Sequence, residues 1–134
     1  MTTARIEKVH ADLVRAREFF KQAERFAADA GSQELSAESR VVLLHNATMA
    51  ACDAILQSVG LRVTSGDGAH MLRIRTALDQ LDQDTEELLE SLDASRERRN
   101  EASYAALFVA EASAADAREA TAELIELARS AVTA

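Results

Sequence analysis

The chain has no proline, only four glycines and a single cysteine, and it contains no long uninterrupted apolar run. Each absence excludes something. Without proline, and with so few glycines, little in the sequence breaks a helix or builds the tight turns of a β-sheet protein. One thiol, Cys52, cannot close an intrachain disulfide, and its setting among apolar residues reads as a small buried hydrophobe in a reducing compartment. No segment reaches the roughly 20 apolar residues that a membrane-spanning helix needs. The first residues, MTTARIEKVHADLVRAR, are charged throughout and lack the apolar core of a signal peptide. The reading is a cytoplasmic protein with no membrane partner. No serine or cysteine triad, no phosphate-cradling glycine loop and no zinc-ligand cluster is visible, and no metal or cofactor is expected.

What is present is helix-forming material. Ala, Leu, Glu and Arg are abundant, and 48% of the 134 residues are hydrophobic. This length suits one domain that buries its own core without staples. The formal net charge of −8 opposes indiscriminate attraction to polyanions, so any contact with nucleic acid has to be local.

The apolar pattern predicts an all-α fold, a four- to five-helix up-and-down antiparallel bundle spanning residues 1–134. From Thr3 to Ala30, Ile6, Val9, Leu13, Phe20, Ala23 and Ala27 recur at helical spacings, and Gly31 ends the run. Ser36 is placed to cap a second helix that extends to Val59 and closes at Gly60. Its segment VVLLHNATMAACDAIL is apolar around most of its circumference, as befits a central helix. Residues 63–68 hold three turn formers and read as the main loop, with Asp67 as a cap for a third helix from Ala69 to about Leu78. Leu81, Leu88, Leu89 and Leu92 define a fourth helix with an acidic start, and Ala114 to Val132 a fifth.

One stretch departs from this background. At Arg96-Glu97-Arg98-Arg99 an acidic helix turns basic and runs into Asn100 and the only tyrosine, Tyr104. Steps of four, three and four join Leu88, Leu92, Ser95 and Arg99, which puts the Arg99 guanidinium on the stripe that faces the core. There it needs partners for its charge and five donors: an acid, or an outside phosphate or carboxylate. An internal acid such as Asp53 is one candidate, with Tyr104 then filling core. Five residues along a helix are an offset of about 140°, so Arg99 and Tyr104 are expected to share a face only after a helix break or across a dimer.

Arg99-Asn100-Glu101-Ala102-Ser103-Tyr104 resembles the signature of the HEPN superfamily, small helical domains with an arginine, a polar neighbour and a histidine on a late helix. Tyr104 stands where that histidine would be. The hexapeptide is closer to a branch whose signature reads Arg-Asn-x-Ala-Asp-Tyr, which Arg99, Asn100, Ala102 and Tyr104 match and Ser103 does not. The resemblance implies a homodimer that brings two such segments to a shared cleft. It also implies RNA or a nucleotide as ligand, with a nucleotidyltransferase-like antitoxin as partner in a toxin-antitoxin or defence system. Carried over residue by residue, Arg99 would hold phosphate, Asn100 would orient it and Tyr104 would stack on a base or donate its hydroxyl, with Arg96 and Arg98 adding local charge. Active relatives are metal-independent endoribonucleases whose histidine handles the proton. Phenols, with an ordinary pKa of about 10, are poor bases at neutral pH, so Arg99, Asn100 and Tyr104 suit binding better than turnover, and catalysis stays open. The rival reading is a non-catalytic interaction module that binds a protein through its acidic helical faces, the arginine motif being structural.

The remaining signals are weaker. Glu7-x-x-His10 and Asp67-x-x-His70 have the spacing of helical di-iron ligands but lack the further glutamates such a site needs. His45 reads as a core histidine, and His70 as a helix-start residue that, by the resemblance, would sit near the signature.

Overall fold

A computed structural model describes residues 2–104 and 107–133. Among them are five helices: α1 (Leu13–Asp29), α2 (Ala37–Val59), α3 (Ala69–Asp79), α4 (Glu86–Tyr104) and α5 (Glu111–Thr133). Two three-residue strands, β1 (Ile6–Lys8) and β2 (Leu61–Val63), pair antiparallel. The molecule is therefore an all-α bundle with a minimal ribbon beside it. No helix among the described residues is long and apolar enough to cross a membrane.

The four long helices alternate in direction. The start of α1 lies at the end of α2, where the Asp12 amide donates to the Gln57 carbonyl. Arg40 on α2 reaches Glu111 on α5, and the buried hydroxyls of Thr48 and Thr121 lie 3.3 Å apart, so α2 and α5 run in the same direction. Helix α2 is central and packs against each of the other four helices. Its Ala47, Ala51 and Ala54 are fully buried, which lets neighbouring backbones approach, while Val41, Leu44, Ile55 and Leu56 fill the space between.

Both ends of α2 follow from local chemistry. The Ser36 hydroxyl accepts from the Ser39 amide at 3.1 Å, and Gly60 closes the helix at φ 76°. A Cβ on Gly60 would stand 2.6 Å from the Val9 carbonyl oxygen. Gly60→Ala is therefore expected to cost about 2 to 3 kcal/mol, from the left-handed backbone and this clash together; the urea midpoint of the variant measures it.

The first helix is shorter than its periodicity predicts. Residues 3–12 are not helical: Ile6–Lys8 pairs with Leu61–Val63, and α1 begins only after Asp12, whose carboxylate caps the Arg15 amide at 3.0 Å. Ile6, Val9 and Leu13 fit a helical spacing, yet the β-branched residues among them also fit a strand, and an available edge decides. Glu7 lies opposite Arg62 across the ribbon and forms an ion pair with it, which holds its carboxyl below the usual range. Glu7 and His10 thus lie outside any helix, and their di-iron spacing loses its meaning. Asp67 does not cap α3 either. The N-cap is Gly68, with no side-chain bond, while the backbone of Asp67 is joined to Thr2 and Ala4. Helix α4 starts at Glu86, so Leu81 and Asp82 precede it.

Candidate nucleotide-binding site

The expected stripe on α4 is present: Leu88, Leu92 and Ser95 are buried, and Arg99 follows half-buried at the next step. Leu88 and Leu92 join the main core, on the face of α4 that Arg99 extends. From Leu107 the chain lies against the ends of α4 and α2. The Leu107 amide donates to the Glu101 carbonyl at 3.1 Å and the Val109 amide to Glu38 Oε2 at 2.7 Å, while Val109 packs with Ala37, Val41, Ala102 and Ala114. These contacts fasten the end of α4 to the start of α2. They leave Tyr104 and Phe108 facing solvent, 75% and 93% exposed.

Arg99 forms no ion pair with a carboxylate among the described residues. Asp53, the interior acid considered for it, lies 3.4 Å from Arg73 instead, and its burial raises its carboxyl above the ordinary range. Arg99 Nη1 donates to Asn100 Oδ1 at 3.1 Å and to the Tyr104 hydroxyl at 3.0 Å, and its Nε is buried with no hydrogen-bond partner. The guanidinium carbon is 5.1 Å from the Tyr104 ring centroid. Arginine and tyrosine therefore meet on one unbroken helix, contrary to the 140° offset. That offset separates Cβ positions, whereas a long arginine side chain and a phenol at the last residue of a helix reach around the cylinder to each other. Tyr104 does not fill core.

The other two arginines of the basic run are already paired. Arg96 reaches Asp93 at 2.8 Å and Arg98 reaches Glu101 at 2.8 Å. Arg98 lines a separate groove of about 320 Å³ between α4 and α5, together with Ser91, Asp116 and Glu123. Of the three, Arg99 alone has its charge unmatched by an acid among the described residues.

Two histidines meet between α2 and α3. His45 Nε2, on α2, lies 3.2 Å from His70 Nδ1 at the start of α3, and the rings are 4.9 Å apart at 47°. His45 is 2% exposed. Burial first, then His70 and Arg99, push its pKa down to about 3, so it is neutral at physiological pH. His70 is half-buried and also held below its ordinary value, by burial and then by the charges of Arg99, Arg73 and Arg96. Sequence reasoning placed these histidines on separate helices without pairing them, because a contact between residues 25 apart leaves no local trace. Cys52 is buried, and burial holds its thiol well above its ordinary range, so it stays protonated at neutral pH.

At the end of α4, Arg99, Asn100 and Tyr104 thus form one hydrogen-bonded polar cluster. Its strongest capability is to bind an anion: Arg99 supplies charge, Asn100 and Tyr104 hold the guanidinium in place, and the exposed phenol offers a flat face. No group of three or more candidate metal ligands occurs among the described residues. Comparisons of the chain with protein-family models, with curated proteins and with solved structures find no match.

Proposed function

We propose that the chain is a HEPN-type helical protein that binds RNA or a nucleotide, Arg99 contacting phosphate, Asn100 orienting the guanidinium and Tyr104 offering its ring to a base. The observation that carries this reading is the state of Arg99, a guanidinium with no carboxylate partner among the described residues and an unsatisfied buried Nε. A cation in this position is retained at an energetic cost unless an anion joins it. The surrounding negative field makes such binding selective: with a net charge of −8 the surface repels a phosphate backbone except where Arg99 offsets it. Arg96 and Arg98, already paired, contribute little further attraction. The resemblance extends the proposal to a homodimer and to a role as the toxin-like component of a toxin-antitoxin or defence system, opposite a nucleotidyltransferase-like partner. Cleavage of RNA belongs to the same proposal as an activity to be measured.

The test is binding of labelled single-stranded RNA to the wild type and to Arg99→Ala, with thermal melting of both. Loss of charge-assisted hydrogen bonds worth about 1.5 to 3 kcal/mol weakens binding by roughly 10- to 100-fold. The melting temperature moves by no more than about 3 °C, since Arg99 makes no ion pair. Fragments in the wild-type reaction that are missing with the variant reveal nuclease activity. Equal RNA affinity, or a collapse in melting without a change in binding, rejects the proposal. That result favours the second reading, a protein-interaction module, for which the exposed Leu107 and Phe108 supply an apolar contact and the acidic helical faces supply charge.

A further inference from the structure

The groove between α4 and α5 does not end at Ser91 and Glu123. These two residues also line a second groove, of about 430 Å³, which continues along the start of α4 past Glu90, Glu87 and Asp84. Together they make one trough. It spans α4 from Glu87 to Arg98, about 17 Å at a rise of about 1.5 Å per residue, with Asp84 beyond the far end. Its middle is lined by small side chains, Ser91, Ala94 and Ser95 from α4 and Ser113, Ala117 and Ala120 from α5, which leave room between the helices.

The charge in the trough is almost all of one sign. Asp84, Glu87 and Glu90 lie on one side and Asp116, Glu119 and Glu123 on the other, and none of the six forms an ion pair among the described residues. Arg98, the one cation lining it among those residues, is bound to Glu101. On each helix these acids follow one another by three or four residues, where like charges repel. An acidic first turn answers to the helix dipole, but Glu119 and Glu123 stand in the middle of α5, where the dipole returns nothing.

Ser95 is an independent sign of a ligand. It lines the groove, is 5% exposed, and its Oγ is buried without a hydrogen-bond partner. A serine within a helix commonly bonds the carbonyl four residues back; this one does not. A turn to another staggered rotamer brings the oxygen to a ligand in the groove and gives up no existing bond.

We propose that the trough binds a linear polyamine, an extended chain of protonated amines joined by short methylene links. Amines separated by three or four carbons lie about 5 to 6 Å apart when extended. Acids three or four residues apart on a helix are separated by a rise of about 4.5 to 6 Å. Successive ammonium groups therefore meet successive carboxylates, the methylenes lie over Ala94, Ala117 and Ala120, and an ammonium at the centre donates to Ser95 Oγ. Leu88 is the one large apolar side chain among the described residues that line the trough, so it lacks the anchor pockets that hold a bound peptide. That favours a thin, unbranched ligand. Arg99 does not line the trough, and the site stands apart from the anion-binding proposal.

The test is calorimetric titration of spermidine into the full chain at about 0.15 M salt, where attraction between distant surface charges is screened. Binding should be one-to-one. Glu123→Gln, an exposed position shared by both halves of the trough, should weaken it by about five- to tenfold, and Ser95→Ala by about threefold. Glu18→Gln removes an exposed acid from α1, which does not contact α4 among the described residues, and should change affinity by less than about twofold. Thermal melting shows that each variant is folded. Absence of one-to-one binding at this salt overturns the proposal. So does equal weakening by Glu18→Gln and Glu123→Gln, which would leave only the general field of a chain with a net charge of −8. A tetralysine peptide that binds far more tightly than spermidine overturns it too, and makes the trough a seat for a basic protein segment.

Discussion

Acidification from pH 7 to pH 4.5 is expected to remove about 2.5 kcal/mol of folding stability through His45 alone. The folded-state pKa of His45 is depressed to about 3 from an ordinary 6.5. Between these values the unfolded chain binds a proton that the folded chain refuses, so stability increases with pH across the window. The contribution is present above about pH 6.5, shrinks as the pH falls, and by pH 3 the cumulative loss is about 4 kcal/mol. His70, shifted in the same direction, adds to the loss. Asp53 opposes it: its carboxyl titrates higher in the folded state, so protonation there favours folding. The dominant cause at His45 is desolvation in a site 2% exposed, so surface screening does little to reduce it. For a chain of this length, whose total stability is about 7 to 20 kcal/mol, the loss is a large fraction. Urea midpoints at pH 7 and pH 4.5, measured for the wild type and for His45→Leu, check it. The variant, with nothing to protonate, should lose far less on acidification. An equal loss in both proteins would assign the acid sensitivity to carboxylates instead.

How much of this was legible beforehand depends on the range of the interactions. Helix α2 was readable in full, since its Ser36 cap, its apolar circumference and its closing Gly60 are local signals and all three operate as such in the structure. The stripe from Leu88 to Arg99 was readable for the same reason, because helical spacing alone sets it. The first ten residues misled, since the β-branched Ile6 suits a strand as well as a helix face, and the strand that pairs with Ile6–Lys8 comes some 55 residues later. The site was half legible. Arg99, Asn100 and Tyr104 stood out by residue type, yet their mutual contact depends on side-chain length rather than on Cβ position. The His45 and His70 pair depends on how α3 folds back along α2, which no local pattern encodes.

The same division between scaffold and site predicts the behaviour of Leu92→Ala. Leu92 is 1% exposed and belongs to the main core, and its truncation is expected to cost about 2 to 5 kcal/mol and to lower the melting temperature by on the order of 10 °C. Arg99, two turns farther along α4, lies next to a separate set of anchors: the Leu107 to Glu101 bond, the Val109 to Glu38 bond, and the small cluster formed by Ala37, Val41, Val109 and Ala114. These hold the end of α4 to α2 without Leu92. Well below its melting transition, the variant should therefore bind sulfate with an affinity within about twofold of wild type, as sites without shared partners behave additively. Calorimetric melting and an anion titration on the same sample measure both quantities. A loss of binding that tracks the loss of stability would mean that the position of Arg99 is set by the core stripe through the whole length of α4, and that its local anchors are too weak to fix the guanidinium by themselves.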